Sequence, residues 1–272
     1  MEYEPIKRSL GRFFKGSAFM RKLLYFLLDL LLLRAWHVRK ALRKIHKELP
    51  GPSEILDAGS GLGQYTWHMC RMNKSWKVHG VDIDSEQVED CAAFFRKTGL
   101  SDRVSFGSAD LTGYSNPGAY NLILSVDVME HIRDDEQVFC NFYNSLRNNG
   151  FLLISTPSDL GGSDTHGDED ESFIDEHVRN GYSIKDISEK LAKAGFSKVE
   201  ALYTYGRAGN ISWRLSMKYP VKMLNVSYLF FILLPFYFVI FFPVSLILNI
   251  FDLYLSHKSG TGLLVTARKQ LK

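Results

Sequence analysis

Cysteine is scarce in this sequence, and its arrangement excludes two kinds of small stabilised domain. The 272 residues contain three cysteines, Cys70, Cys91 and Cys140, and none belongs to a C-x-x-C pair. Disulfide frameworks use an even number of cysteines, and structural zinc sites use closely spaced pairs. The cysteines are therefore expected to be reduced thiols in a cytosolic protein.

The sequence also lacks a large charge of either sign. Its formal net charge is +3, but residues 1–48 hold twelve Lys or Arg against four Asp or Glu, so the rest is slightly acidic. The basic, polar opening is followed by no small-residue cleavage site, so a cleavable signal peptide is not expected. Positive charge is thus concentrated in an N-terminal extension.

Glycines at positions 59, 61 and 63 follow a short apolar strand within residues 54–64. Because glycine has no Cβ, such a loop turns sharply and lets its backbone approach a ligand closely. The next helix presents unpaired N–H groups to an anionic part of that ligand. A second apolar segment, residues 76–82, ends in Asp82, and an acid at this point accepts hydrogen bonds from a ribose diol in nucleotide-binding α/β folds. The first β-α-β unit therefore predicts a nucleoside site.

The glycine spacing differs from that of dinucleotide-binding proteins. Their G-x-G-x-x-G fingerprint has a glycine where this chain has Gln64. Three more apolar strands follow in order, at residues 104–110, 120–126 and 146–157, and the fourth strand is followed by an Asp-x-x-Glu-His segment. This ordered set resembles the class I S-adenosylmethionine-dependent methyltransferases, and within them the ubiquinone and menaquinone methyltransferases.

The resemblance covers roughly residues 53–196 plus a closing strand. It implies an α/β, Rossmann-like fold with a seven-stranded sheet whose last strand is antiparallel, and S-adenosylmethionine as the cofactor. The methionine part would lie on the glycine loop, oriented by its leading acid: Asp57, Gly59, Ser60, Gly61 and Gly63. The ribose, the adenine and the methyl-donor pocket would be contacted by Asp82, Ile83, Ala109, Asp110, Ser125 and Val126.

Three residues after the fourth strand are the catalytic candidates. Methyl transfer from a sulfonium is an in-line displacement, so the protein mainly aligns the acceptor and removes its proton. Asp127 and Glu130 are three apart, which places them on one face if a helical turn begins there. His131 or Glu130 is the expected proton acceptor.

A divalent metal is the minority alternative for these residues. The cluster and a downstream histidine at residue 177 also resemble metal-assisted methyltransferases, in which carboxylates and histidines hold an ion that activates an acceptor hydroxyl. This chain has Asp127 where that group more often has glutamate, and Glu-His also follows the fourth strand in metal-free relatives. The acidic run at residues 164–171 lacks EF-hand spacing and is expected to be a mobile loop over the cleft.

Residues 19–46 predict one long amphipathic helix. Leu23, Leu27, Val38 and Leu42 fall on one side, whereas Arg21 and most other charged residues fall on the other. A basic helix with leucines opposite is typical of a segment in the membrane interface, above anionic head groups. The alternative is a helix packed over the cofactor cleft, and the two interpretations can hold for different halves. A nucleic-acid partner is not expected, because the polar face carries few interleaved aromatics.

Residues 223–251 contain no charged residue. Alternating strand-like segments flank them, at residues 198–205 and 262–268, and match the pair that closes the sheet in this family. The apolar stretch is therefore an insertion between strands six and seven, beside the edge at which ligands bind. Pro235 and Pro243 are expected to break it, because proline ends or kinks helices. A dimer interface or a lid over the cleft is the alternative, because apolar patches also mark protein partners.

Two crossings of a bilayer need about forty residues, so a re-entrant or in-plane helical hairpin fits this stretch better than a transmembrane pair. Basic residues on both flanks indicate the cytoplasmic face. The expected divisions are a basic helical extension (1–50), the methyltransferase core (51–206), the membrane-associating insertion (207–259) and the closing strand (260–272).

The leading functional hypothesis is a peripheral or monotopic methyltransferase acting on a lipid-like small molecule such as a quinone precursor or an isoprenoid. A metal-assisted RNA 2′-O-methyltransferase is the enzymatic alternative. A non-catalytic membrane scaffold that retains the fold is the alternative from another class of protein.

Overall fold

The computed structural model describes residues 17–161, 178–227 and 229–270. Its helical segments, in chain order, are α1 (Ala18–Leu31), α2 (Leu33–Glu48), α3 (Gln64–Met72), α4 (Ser85–Lys97), a 3-10 turn (Met129–His131), α5 (Asp135–Ser145), α6 (Ile184–Lys193), α7 (Arg207–Trp213), a π-helical segment (Arg214–Lys218), α8 (Tyr219–Val226) and α9 (Phe230–Tyr254). Its strands are β1 (Ser53–Ala58), β2 (Trp76–Asp82), β3 (Val104–Ser108), β4 (Tyr120–Val126), β5 (Leu146–Pro157), β6 (Lys198–Thr204) and β7 (Gly262–Arg268).

The seven strands form one sheet in the order β3-β2-β1-β4-β5-β7-β6. The first five are parallel, and β7 is antiparallel to both of its neighbours, β5 and β6. Central strands such as β4 are almost wholly apolar and buried, because helices cover both faces of the sheet. The predicted α/β fold with an antiparallel last strand is confirmed.

The strand register brings the chain's loops to one edge of the sheet. Gly262, the first residue of β7, is opposite both Pro157, the last residue of β5, and Thr204, the last residue of β6. The insertion between β6 and β7 therefore begins and ends at the carboxyl edge, where the glycine loop after β1 also lies. Ligands of open α/β sheets bind at this edge.

The predicted single N-terminal helix is two helices. The chain breaks at Leu32, whose φ of −92° and ψ of 108° are extended. The break turns the following segment so that Leu33 and Ala35 pack inward, and the apolar face of α2 is buried as expected of a helix packed on the core. It also places Arg34 at the carboxyl edge, where its guanidinium pairs with Asp127.

The first of these helices packs on the face that carries Arg21 and leaves leucines exposed, which the packed-helix alternative would bury and the membrane-interface interpretation would not. Arg21 is buried, whereas Leu23 and Leu27 are exposed. Arg21 donates to the carbonyl of Leu62 in the glycine loop and pairs with Asp90 of α4. Burying polar loop atoms without partners is costly, so these hydrogen bonds outweigh the burial of leucines.

The insertion is a helical hairpin. One arm comprises α7, the π-helical segment and α8, and the other is α9. The arms run antiparallel, because Gly209 N donates to Asp252 Oδ2 at 3.0 Å, Ser212 Oγ to Ser245 O at 3.0 Å, and Tyr237 OH to Leu215 O at 2.9 Å. A helical insertion between strands six and seven is thus present, with its base at the carboxyl edge, but its turn precedes α9 and lies near the start of the apolar stretch rather than at its prolines.

The breaks expected at Pro235 and Pro243 do not occur, because α9 continues through both prolines for 25 residues. Each proline removes only one backbone hydrogen bond, and the rest of the helix keeps its own. Among the described helices, α9 alone has the length and the apolar composition of a bilayer-spanning helix, with a mean hydropathy of 2.5. Only 11% of its apolar window is buried, unlike the core helix of a soluble protein.

Candidate functional site

The glycine loop between β1 and α3 has a backbone that only glycine adopts without strain. Gly59, Gly61 and Gly63 have φ values of 79°, 48° and 76°. A Cβ on Gly59 would lie 2.1 Å from Val128 Cγ2, so this glycine is required by packing. A Cβ on Gly61 would meet only Gln87 Oε1, at 3.9 Å. Gly61 therefore faces open space, which fits close approach of a ligand.

Asp82 is held beside this loop by two backbone amides. Its carboxylate accepts from Gly61 N at 2.7 Å and from Asp84 N at 3.1 Å. The next residue, Ile83, is 74% exposed at the tip of β2. An acid next to an exposed apolar side chain fits the predicted contacts to a ribose and an adenine.

The other predicted cofactor residues lie at the same edge. Ala109 N donates to Asp82 O at 3.0 Å, and Asp110 follows β3 in a turn closed by Thr112 N. Ser60 and Ser125 are buried, and their hydroxyls find no hydrogen-bond partner within the described part of the chain. Buried hydroxyls normally have partners, so these two fit contacts to a bound group. The donor set thus suits a nucleoside with an amino-acid tail.

Asp57 lies beneath the loop at the end of β1. Its carboxylate is buried and accepts a hydrogen bond from Thr66 Oγ1 of α3. Burial raises the pKa of this carboxyl to about 6, despite the hydrogen bonds from Thr66, because the charged form is poorly solvated there. A positive charge placed beside it would favour ionisation.

The predicted catalytic residues occupy three different environments. Glu130 is buried, its Oε2 accepts from Thr156 Oγ1 at 3.0 Å, and burial raises the pKa of its carboxyl. His131 is exposed. Asp127 has a φ of 51° and precedes the 3-10 turn that begins at Met129, so the face predicted for Asp127 and Glu130 does not form. Their catalytic roles stay predictions.

A cluster that the sequence did not reveal surrounds Asp127. Its carboxylate pairs with the guanidinium of Arg34, and Arg34 N donates to the hydroxyl of Tyr205 at 2.8 Å. Tyr65 of α3 is close enough to the same guanidinium for its charge to favour the ionised phenol, although burial raises the pKa of Tyr65 overall. Tyr205 has a φ of 54°. Asp127 and Tyr205 thus both have a positive φ, which non-glycine residues rarely adopt, and both contact Arg34. Such strained residues cluster at functional sites.

Tyr205 directly follows β6, so the rule that ligands meet strand ends could have identified it. Arg34 has no such signal, since it reaches Asp127 only after the break at Leu32.

No three His, Cys, Asp or Glu side chains converge as a metal site within residues 17–161, 178–227 and 229–270. The predicted acidic run at 164–171 and the downstream cluster at 175–177 lie outside the described residues. The metal alternative therefore has no support from the residues after β4.

Comparison with known sequences identifies the family of this chain. A family model described as a methyltransferase domain matches residues 33–201. Phosphoethanolamine N-methyltransferase 1 of Triticum aestivum is 30% identical over 158 residues, which cover 57% of this chain and 30% of that protein. The ubiquinone biosynthesis O-methyltransferase of Rickettsia prowazekii is 25% identical over 103 residues, covering 38% of this chain and 39% of that protein. The match thus spans about a third of the length of these relatives.

Solved structures share the fold. Phosphoethanolamine N-methyltransferase 2 of Haemonchus contortus, in complex with S-adenosyl-L-methionine, superposes with a TM-score of 0.58 at 21% identity, covering 81% of this chain and 49% of that one. A sarcosine dimethylglycine methyltransferase structure from Galdieria sulphuraria gives 0.60 at 17% identity, covering 88% and 85%. With a family match over more than half its length, the chain belongs to the class I S-adenosylmethionine-dependent methyltransferases, and S-adenosylmethionine is its cofactor.

Proposed function

We propose that this methyltransferase works at the cytoplasmic face of a membrane and methylates a lipid-like acceptor. One observation carries the proposal: Tyr205 connects the apolar hairpin to the cluster around Asp127. Its backbone N donates to Asp252 of α9 at 3.2 Å, and its hydroxyl accepts from Arg34 N. The base of the hairpin and the cluster around Asp127 therefore share a residue.

The surface of α9 supports a membrane rather than water as its surroundings. Phe236 and Ile240 are 68% and 63% exposed, and most of the helix resembles them. Monomeric soluble proteins rarely leave such a large apolar surface in water. Basic residues lie on both sides of the apolar stretch 223–251, at Arg214, Lys218 and Lys258, which supports a cytoplasmic position for both of its ends.

The chemistry of the cleft supports an acceptor with a polar head. S-adenosylmethionine supplies an electrophilic methyl group, so the chain's own residues must orient the acceptor and take its proton. Arg34, Tyr65, Asp127 and Tyr205 offer hydroxyl and charged groups at the carboxyl edge for that purpose. The plant relatives are named for phosphoethanolamine, which makes this water-soluble amine the natural comparison substrate.

The test uses the purified full chain with S-adenosylmethionine labelled in its methyl group. One reaction receives vesicles made from a total lipid extract, and a parallel one receives phosphoethanolamine in solution. Label is expected in the organic phase of the vesicle reaction, at a rate at least about tenfold above that for phosphoethanolamine, because a bilayer concentrates an acceptor beside α9. Label confined to the water-soluble product would contradict the lipid acceptor.

Asp57 makes the cofactor affinity depend on pH. In the free protein its pKa is about 6, and the ammonium of S-adenosylhomocysteine favours the ionised form, so binding must displace a proton below that pH. The affinity is expected to fall about tenfold between pH 7.5 and pH 5. Calorimetric titration of S-adenosylhomocysteine across this range measures it, and Asp57→Asn is expected to flatten the profile. An unchanged slope in that variant would assign the proton to another group.

A further inference from the structure

A groove of about 680 Å³ lies between α1, α2 and α3, on residues separate from those predicted to contact the cofactor. Its wall combines four cations with aromatic and aliphatic side chains. One carboxylate, Asp29, lines it, and that group is already engaged by Arg39 at 3.1 Å and by Gln64 Nε2 at 2.8 Å. The groove therefore carries a surplus of positive charge.

The cations converge rather than spread over the surface. Lys22 and Arg71 lie over the ring of Trp67, at 5.3 Å and 5.6 Å from its centroid. Lys22, Arg43 and Arg71 pair with no carboxylate within residues 17–161, 178–227 and 229–270. Three or four like charges around one groove repel one another, and an anion bound among them would relieve that repulsion.

His68 also lines the groove, and its pKa is affected by the same positive charges. Burial, together with the charges of Arg39, Arg43 and Arg71, lowers the pKa of His68 to about 4. Its Nε2 is buried and finds no hydrogen-bond partner in the part of the chain that the structure describes. A neutral ring nitrogen at this position suits a polar ligand.

The groove is also continuous with the apolar surface of the hairpin. Leu253 of α9 lines it, Lys40 Nζ donates to the carbonyl of Leu253 at 2.6 Å, and the same ammonium lies over the ring of Tyr254. Phe26 of α1, which is 60% exposed, and Trp36 of α2 also line the groove. A ligand with an anionic group and an apolar chain would match both the cations and the apolar side chains of the groove.

We propose that this groove binds the head group of an anionic phospholipid, with its phosphate among Arg39, Arg43 and Arg71 and its chain along Phe26 and Trp36. The site is separate from the acceptor cleft and fixes the orientation of the protein on the bilayer. It rests on the proposed membrane association. Free phosphate would meet the cations but leave the apolar wall uncovered, which is why a lipid is the better match.

The probe is dihexanoyl phosphatidylglycerol below its micelle concentration, titrated into the full chain while the tryptophan fluorescence, to which Trp36 and Trp67 in the groove contribute, is recorded. Arg43→Gln combined with Arg71→Gln is expected to weaken binding about thirtyfold. Each cation near an anionic head group contributes about 1 kcal/mol, or about fivefold in affinity. Lys44→Gln with Lys47→Gln is the matched control, since these exposed residues of α2 do not line the groove. It is expected to change affinity less than about twofold.

Equal losses in the two pairs would overturn the proposal, as would equal binding of dihexanoyl phosphatidylcholine. The proposal would also be overturned if inorganic phosphate bound as tightly as the lipid, or if a single-stranded RNA bound more tightly, because the groove would then be a site for that ligand. S-adenosylhomocysteine titration checks that both pairs remain folded. A variant whose α9 no longer inserts into a bilayer should still bind dihexanoyl phosphatidylglycerol in the groove. Loss of groove binding is therefore distinguishable from failure of the proposed lipid acceptor.

Discussion

Phe236→Lys combined with Ile240→Lys is expected to release the protein from membranes. Both side chains are on α9, one turn apart and exposed. A charged residue within the hydrocarbon region costs about 2.5–3.5 kcal/mol, so two reduce partitioning by more than about a thousandfold. Flotation of the full chain with neutral vesicles measures the bound fraction, and neutral lipid keeps the cationic groove out of the result.

Leu160→Lys with Leu202→Lys is the matched control, because it adds the same charges at exposed apolar positions outside α9. This pair is expected to float like the unaltered protein. If the α9 variant also floats, the hairpin does not enter the bilayer. If it becomes soluble but loses a dimer in sedimentation, α9 is a protein interface instead.

Asp82→Ala is expected to weaken S-adenosylhomocysteine binding by more than about a hundredfold. The carboxylate is predicted to accept two hydrogen bonds from the ribose, and bonds to a charged group contribute about 1.5–3 kcal/mol each. The substitution also removes the acceptor for Gly61 N, which shapes the loop. Calorimetric titration of the purified variant measures the change.

Glu89→Gln serves as the control for this experiment, since it removes one exposed carboxylate from α4 without touching the loop. It is expected to bind normally. Asp82→Asn keeps one acceptor oxygen, so its loss should lie between those of the other two variants. Full affinity in Asp82→Ala would mean that the nucleoside lies elsewhere.

Local patterns predicted most of the fold. The strands β1 to β7, the glycine turn and the position of the insertion follow from runs of apolar residues and from glycines without Cβ atoms, which act over a few residues. The sheet order then follows from the family resemblance that these motifs support.

What the sequence could not predict depends on contacts between distant residues. Arg21 is turned inward by Leu62 and Asp90, which are far from it in the chain. The helical pattern of α1 contains no trace of these partners. Pro235 and Pro243 each remove a backbone hydrogen bond from α9, as expected for proline. Packing of α9 against the other arm of the hairpin outweighs that loss.

The candidate site shows the same division. Asp57, Gly61 and Asp82 belong to one β-α-β unit and lie together at the carboxyl edge as predicted, and their cofactor contacts stay predictions. Arg34 and Tyr205 were missed, because their contact joins the end of β6 to a helix 171 positions earlier in the chain.

The most direct measurement is an experimental structure of the full chain with S-adenosylhomocysteine in a lipid nanodisc. It is predicted to show the sulfur facing Arg34, Asp127 and Tyr205, with a lipid head group between them and α9 in the bilayer rim. Side chains filling that crevice, or α9 packed against a second copy away from lipid, would contradict delivery of the acceptor from the membrane.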